Sequence, residues 1–167
     1  LGGETGNSLT LASVALAMDG NKYKVIATDE NNATNCTGED FGTLTVNATP
    51  SPSVGDQAAC DGDTNVVFST ASIAGYTYQW YVDTGSGYTE LGGETGNSLT
   101  LASVALAMNG NKYKVIATDE NNSTNCTGED FGTLTVNANP SPSVGDQAAC
   151  DGDTNVVFST ASVSGYT

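Results

Sequence analysis

The side chains able to do chemistry in this 167-residue chain are four cysteines, 19 carboxylates, four lysines and seven tyrosines, with no histidine and no arginine. Cys36, Cys60, Cys126 and Cys150 lack Cys-x-x-Cys spacing, which disfavours a metal site. Without imidazole no base stands ready to activate a thiol or hydroxyl nucleophile. An even cysteine count in a histidine-free, surface-type composition argues instead for disulfides and an oxidising compartment.

The carboxylates cluster in two places: Asp61 and Asp63 in one turn, and Asp119, Glu120, Glu129 and Asp130 around a polar loop. Hard oxygen ligands of this kind suit Ca²⁺, the one cofactor the sequence suggests. The competing reading is solvated turns that keep a Thr-rich surface soluble. A glycosidase pair would need two carboxyls about 5–9.5 Å apart across a cleft. A small domain in near-identical copies leaves little room for one, so no enzyme is expected. The net charge of −15 removes nucleic acid as a partner and excludes a polybasic membrane patch. Absence of arginine removes the bidentate clamp for phosphate or carboxylate substrates.

What positions these groups is a repeat. Residues 1–77 recur as 91–167 with five differences: Asp19/Asn109, Ala33/Ser123, Thr49/Asn139, Ile73/Val163 and Ala74/Ser164. The period is 90, and the chain is 13 residues short of two periods, so it reads as a window on a longer tandem array. Pro50-Ser51-Pro52 and Pro140-Ser141-Pro142 punctuate it as linkers. That frames the rear half of one unit over 1–49, a complete unit over 50–139 and the front of the next over 140–167.

Inside the complete unit, apolar residues alternate at period 2 between Gly, Asn and Asp turns. The pattern predicts strands at 53–59, 64–70, 76–82, 88–91, 98–103, 112–118 and 131–137, a helical turn over 104–108, and a polar loop over 119–130. Seven short strands in about 90 residues point to an antiparallel β-sandwich. No apolar run is long enough for a transmembrane helix, so membrane insertion is not expected.

Trp80 in the third strand, the stretch Asn109-Gly110-Asn111-Lys112-Tyr113-Lys114-Val115, and the Leu134/Val136 ending resemble the third strand, tyrosine corner and last strand of immunoglobulin-like sandwiches. Val115 stands where antibody domains carry cysteine, and the facing position (Val67 or a neighbour) is apolar, so packing replaces the core disulfide. The series Ala59-Cys60-Asp61-Gly62-Asp63, Tyr78-Gln79-Trp80-Tyr81-Val82, Tyr113 through Asp119 and Asn125-Cys126-Thr127 resembles the Ig-like repeats of giant extracellular adhesins and surface filaments of Bacteroidota bacteria. The resemblance implies all-β, tandem Ig-like repeats at the cell surface, used as a stalk or adhesive filament and exported by a dedicated system.

In Ig topology Cys60, beside the first turn, falls at one end of the domain and Cys126 at the other. Two pairings stay open: Cys60–Cys126 within a domain, if the long loop folds down, or staples between neighbouring repeats at each junction. Interchain bonds and free thiols are the remaining alternatives. The acidic ends would meet at the same junctions, where a bridging calcium would stiffen the rod.

Trp80, Tyr113, Phe68, Phe131 and Val115 are expected in the core. Tyr81 points away from Trp80 and, with Tyr88, offers a platform for sugar stacking or lateral contact. The function expected is therefore a rigid extracellular spacer whose partners are neighbouring repeats of the same or identical chains. The alternative is a module that binds a glycan, host or surface ligand and gains avidity from its copies. A third reading joins the front of one chain to the rear of another by strand complementation.

Overall fold

The computed structural model describes residues 4–31, 33–162 and 165. Nine strands run through these residues: β1 (Lys22–Thr28), β2 (Thr37–Thr43), β3 (Gln57–Cys60), β4 (Val66–Ser69), β5 (Tyr76–Asp83), β6 (Tyr88–Glu90), β7 (Ser98–Leu101), β8 (Lys112–Asp119) and β9 (Thr127–Asn137). Two 3-10 turns, Leu16–Met18 and Leu106–Met108, are the other regular elements. The chain is all-β.

β3 to β9 make a sandwich of one mixed and one antiparallel sheet. One has the order β3-β9-β8-β5-β6, and the other pairs β4 with β7. Every ladder is antiparallel except β3 on β9, which is parallel. Alternation explains the layering. β8 buries Tyr113, Val115 and Ala117 and turns Lys112 and Lys114 outward. Phe68 of β4 and Leu99 of β7 meet Trp80, Val115 and Leu134 of the larger sheet in one core. The Trp80 indole N–H donates to Gly96 O at 2.9 Å, which satisfies the one polar group of the largest buried side chain.

Residues 53–56 are not the start of a strand as the alternation suggested. Their backbone is held by side chains: Ser53 N donates to Thr70 Oγ1 (3.1 Å) and Val54 N to Asp130 Oδ2 (2.8 Å). The last strand begins four residues earlier than expected, at Thr127 rather than Phe131. Gly128, Glu129 and Asp130 pair with Ala117, Ile116 and Val115, so the polar loop shrinks to its first half. Phe131 is not a core residue. Its register opposite Lys114 puts it on the outer face, 45% exposed. Val67 is likewise outward, and its neighbour Phe68 supplies the apolar partner, packing on Tyr113 with ring centroids 4.8 Å apart.

The first copy repeats part of this geometry. β1 pairs with β2 from Lys22↔Thr43 to Thr28↔Thr37, the register of β8 on β9 displaced by 90 residues. Yet β2 stops at Thr43, whereas β9 continues through Leu134–Asn137. Those four residues are the ones that β3 pairs with. Leu44–Asn47, the same four residues in the first copy, carry no such ladder, although Leu44 N still bonds Asn21 O (2.8 Å) and Val46 N still bonds Asp19 Oδ1 (2.8 Å).

Candidate functional site

The thiols define the two ends of the sandwich. Cys60 closes β3 opposite Asn137, the last residue of β9. Cys126 immediately precedes Thr127, the first residue of β9. Eleven residues of strand therefore separate the two ends, about 33 Å at roughly 3.3 Å per residue. A disulfide tolerates Cα separations up to about 7 Å. The loop before β9 does not fold down: Asp119 N bonds Cys126 O at 2.9 Å, which ties Cys126 to the end of β8. Cys60 and Cys126 of one sandwich are thus out of reach of each other.

The same parallel pairing sets where the chain comes in and leaves. Pro50 lies against Gly128, where an added Cβ would run into its carbonyl oxygen, so the chain comes in at the Cys126 end. Asn139 Nδ2 bonds Asp61 O at 2.6 Å, so it leaves at the Cys60 end. At the incoming end the previous copy touches the sandwich. Asn47 Nδ2 donates to Thr124 Oγ1 at 3.1 Å, and Thr124 Oγ1 lies 3.2 Å from Cys126 Sγ.

Each acidic side chain singled out by the sequence is engaged within its own neighbourhood. Asp61 Oδ1 accepts Leu106 N (2.8 Å) and Asp63 Oδ2 accepts Cys60 N (2.8 Å). Asp119 accepts from Asn121 and Asn122, and Glu120 Oε1 accepts Thr77 Oγ1. Glu129 pairs with Lys114 at 2.9 Å. Glu129 and Asp130 belong to β9 and not to the loop. Among the described residues no three acidic or cysteine side chains gather as a metal site. Asn32, one of the residues of the first copy's polar loop, lies outside the described residues.

Tyr81 and Tyr88 do share the outer face of the larger sheet. Lys114 Nζ sits 5.6 Å from the Tyr81 ring centroid and 4.4 Å from that of Tyr88. Partial burial pushes the Tyr88 phenol above its ordinary pKa, against the pull of Lys114. Lys112 lies over Phe131 at 5.2 Å. The face is a strip of aromatic rings and two lysines.

Tyr78, two residues before Trp80 on the same buried face of β5, has a role that alternation does not reveal. Its hydroxyl donates to Ala71 O (2.9 Å) and accepts from Ile73 N (3.0 Å), pinning the crossing between the two sheets. Only its spacing from Ala71 and Ile73 could have hinted at this.

The two partial copies leave open apolar faces. Val25 is 56% exposed where its counterpart Val115 is fully buried. Phe158 is 66% exposed where Phe68 is fully buried. A groove of about 320 Å³ lies among Leu9, Tyr23, Val25, Asp40 and Gly42. The matching residues of the complete sandwich hold Val54, Gly55 and Phe68. A second groove, about 510 Å³, includes Glu4 and Gly6, whose counterparts Glu94 and Gly96 bond the Trp80 backbone and indole.

Comparison with known proteins finds no matching family model and no matching curated protein.

Proposed function

We propose that the chain is a structural segment of a long extracellular filament or adhesin stalk, built from tandem 90-residue Ig-like sandwiches. The observation that carries this reading is the opposed placement of the two linkers. Parallel pairing of β3 on β9 puts the incoming chain at the Cys126 end and the outgoing chain at the Cys60 end. Units joined in this way stack end to end instead of side by side. One of the five differences between copies bears on the same point. Asp19 and Asn109 differ in charge, but the same oxygen accepts the amide of Val46 or Val136, at 2.8 and 2.9 Å. A sustained negative charge keeps such a rod soluble and discourages lateral clumping. The reading gives the chain no catalysis.

Small-angle scattering and electron microscopy of the native protein test this. The expected result is a single file of units with an axial step of roughly 35–45 Å per 90 residues, set by an eleven-residue strand plus linker. A compact particle, with units packed side by side, would sink the reading.

A second reading has its own observation. Tyr81, Tyr88 and Phe131 line one exposed strip with Lys112 and Lys114. Aromatic faces beside cations suit a sugar or an acidic protein surface, and repeated copies would add avidity. A glycan array that shows binding by the chain and none by Tyr88→Ala would favour this reading; silence on every glycan removes its sugar form.

A further inference from the structure

A pull along the chain enters the complete sandwich at Pro50 and leaves it at Asn139. The incoming segment leads straight into β3, and the outgoing segment leaves β9. β3 is the edge strand of its sheet, with β9 as its neighbour. The two strands lie parallel. The pull therefore acts on the first residue of β3 in one direction and on the last residue of β9 in the other. It slides the two strands past each other along their length.

The contact between them is longer than the four-residue ladder. Upstream of β3, Pro50 lies against Gly128 and Gly55 against Gly132, so closely that an added Cβ would strike their carbonyl oxygens. Val54 N donates to Asp130 Oδ2 at 2.8 Å, and Thr133 N donates to Asp56 Oδ1 at 2.7 Å. Downstream of β3, Asp61 N donates to Asn137 O at 2.8 Å. Two carboxylates thus extend along the incoming segment the hold that the backbone ladder gives to Gln57–Cys60.

We infer that the seam formed by residues 54–61 on β9 is a tension clamp, with Asp56 and Asp130 as its side-chain anchors. Bonds between parallel strands run across the strands and are evenly spaced. A slide by less than one residue step, about 3.3 Å, breaks them together. Pulling the same strands apart from one end breaks them singly. Forced unfolding is governed by the barrier to unfolding and not by equilibrium stability. Concerted loss raises that barrier, so the direction of the parallel pair and the charges beside it set the strength of the unit. The inference rests on the array reading for the source of the tension, whereas the clamp itself lies within one unit.

The chain's own thiols supply the test. The reduced full chain is held in an optical trap by DNA handles attached to two cysteines. With Cys60→Ser and Cys126→Ser, handles on Cys36 and Cys150 load the sandwich through both linkers. With Cys60→Ser and Cys150→Ser, handles on Cys36 and Cys126 load it at one end, because Cys126 precedes the first residue of β9. The first attachment should rupture at a force several-fold above the second. Asp56→Ala with Asp130→Ala should lower the first force and leave the second nearly unchanged. Leu99→Ala, in the core beneath the smaller sheet, should lower the urea midpoint more and the first force less. Equal forces for the two attachments would overturn the inference, and that comparison leaves the seam unaltered. An undiminished force in the double aspartate variant, or a larger loss of force in Leu99→Ala, would overturn it too. Equal forces with units in single file by scattering would discard the clamp and keep the array. Unequal forces with units packed side by side would keep the clamp and discard the array.

Discussion

Cys60 and Cys126 sit at opposite ends of β9, one facing Asn137 at its last residue and the other preceding Thr127 at its first. The separation follows from the parallel pairing of β3 with β9. β3 is four residues long and lies only against Leu134–Asn137, so its closing cysteine stays at the far end of β9. Each sandwich therefore presents one thiol at each end, and its stability rests on packing without a cross-link.

Trp80 tests that reliance. It is fully buried and its indole N–H is the donor to Gly96 O. Trp80→Ala removes the largest side chain from the core and should cost about 3–5 kcal/mol. Trp80→Phe should cost less, through a smaller cavity and an unpaired Gly96 carbonyl. Urea unfolding followed by circular dichroism under reducing conditions measures both. Equal losses for the two variants would mean that the indole hydrogen bond and not the volume dominates.

Tyr78→Phe isolates one hydroxyl. That group both donates to Ala71 O and accepts from Ile73 N. Its removal leaves two backbone groups of the crossing unpaired, at a cost of about 1–3 kcal/mol. The slope of the urea transition should not change. Amide exchange should quicken at Ile73 before it does at Val115, because the lost contacts are local to the crossing.

Asp83 gives a pH dependence confined to one turn. The amides of Gly85 (2.8 Å) and Gly87 (2.9 Å) both donate to its Oδ1. These bonds hold its carboxyl below the usual aspartate range, with Lys112 adding a smaller pull in the same direction. A lowered folded-state pKa means that the contribution is present above the unfolded value and is lost as pH falls through the folded value. The Gly85 and Gly87 amide shifts should therefore titrate together at a midpoint below that of an ordinary aspartate. Asp83→Asn should flatten that titration while leaving the hairpin formed. A midpoint at or above the ordinary value would show that the amides do not hold the carboxylate.

Much of this was legible in the sequence, and the failures have specific causes. Alternation along the third strand centred on Trp80, and the resemblance to the tyrosine corner marked Tyr113 and Val115; all three are buried because each strand buries one face only. Phe131 was misplaced because it was read as a core aromatic. It is the outward residue of a strand that starts at Thr127, and the polar run Thr-Gly-Glu-Asp hid those first four residues. Composition marked that run as loop, but Lys114 pairs with Glu129 and Asp130 accepts the Val54 amide, so charges that read as solvated serve the ladder. Ser53–Asp56 failed for the opposite reason. It was read as the opening of a weak strand, but side-chain acceptors of Thr70 and Asp130 take the amides of Ser53 and Val54. Side-chain bonds across 17 and 76 residues leave no trace in a local pattern. The separation of Cys60 from Cys126 was readable only through the resemblance to Ig topology, since spacing does not reveal which strands run parallel.

The glycines of β9 offer an internal control, because each has a counterpart in the first copy. A Cβ on Gly128 would collide with Pro50 O, and one on Gly132 with Gly55 O and the Phe68 ring. The backbone of residues 50–55 approaches β9 so closely that only hydrogen fits. Gly38 and Gly42 hold the same places on β2 and have nothing within 4 Å. Gly132→Ala should therefore destabilise the sandwich by about 1–3 kcal/mol, the usual range for overpacking. Gly42→Ala should leave its unfolding transition unchanged when cysteines are reduced and chains are dilute. Both strands carry the same sequence from Thr-Gly-Glu-Asp through Leu-Thr-Val-Asn, so propensity cancels in the comparison and only the covering segment differs. A loss of similar size in both variants would mean that strand glycine itself sets the cost. A loss in Gly132→Ala alone would mean that the packed 50–55 segment does.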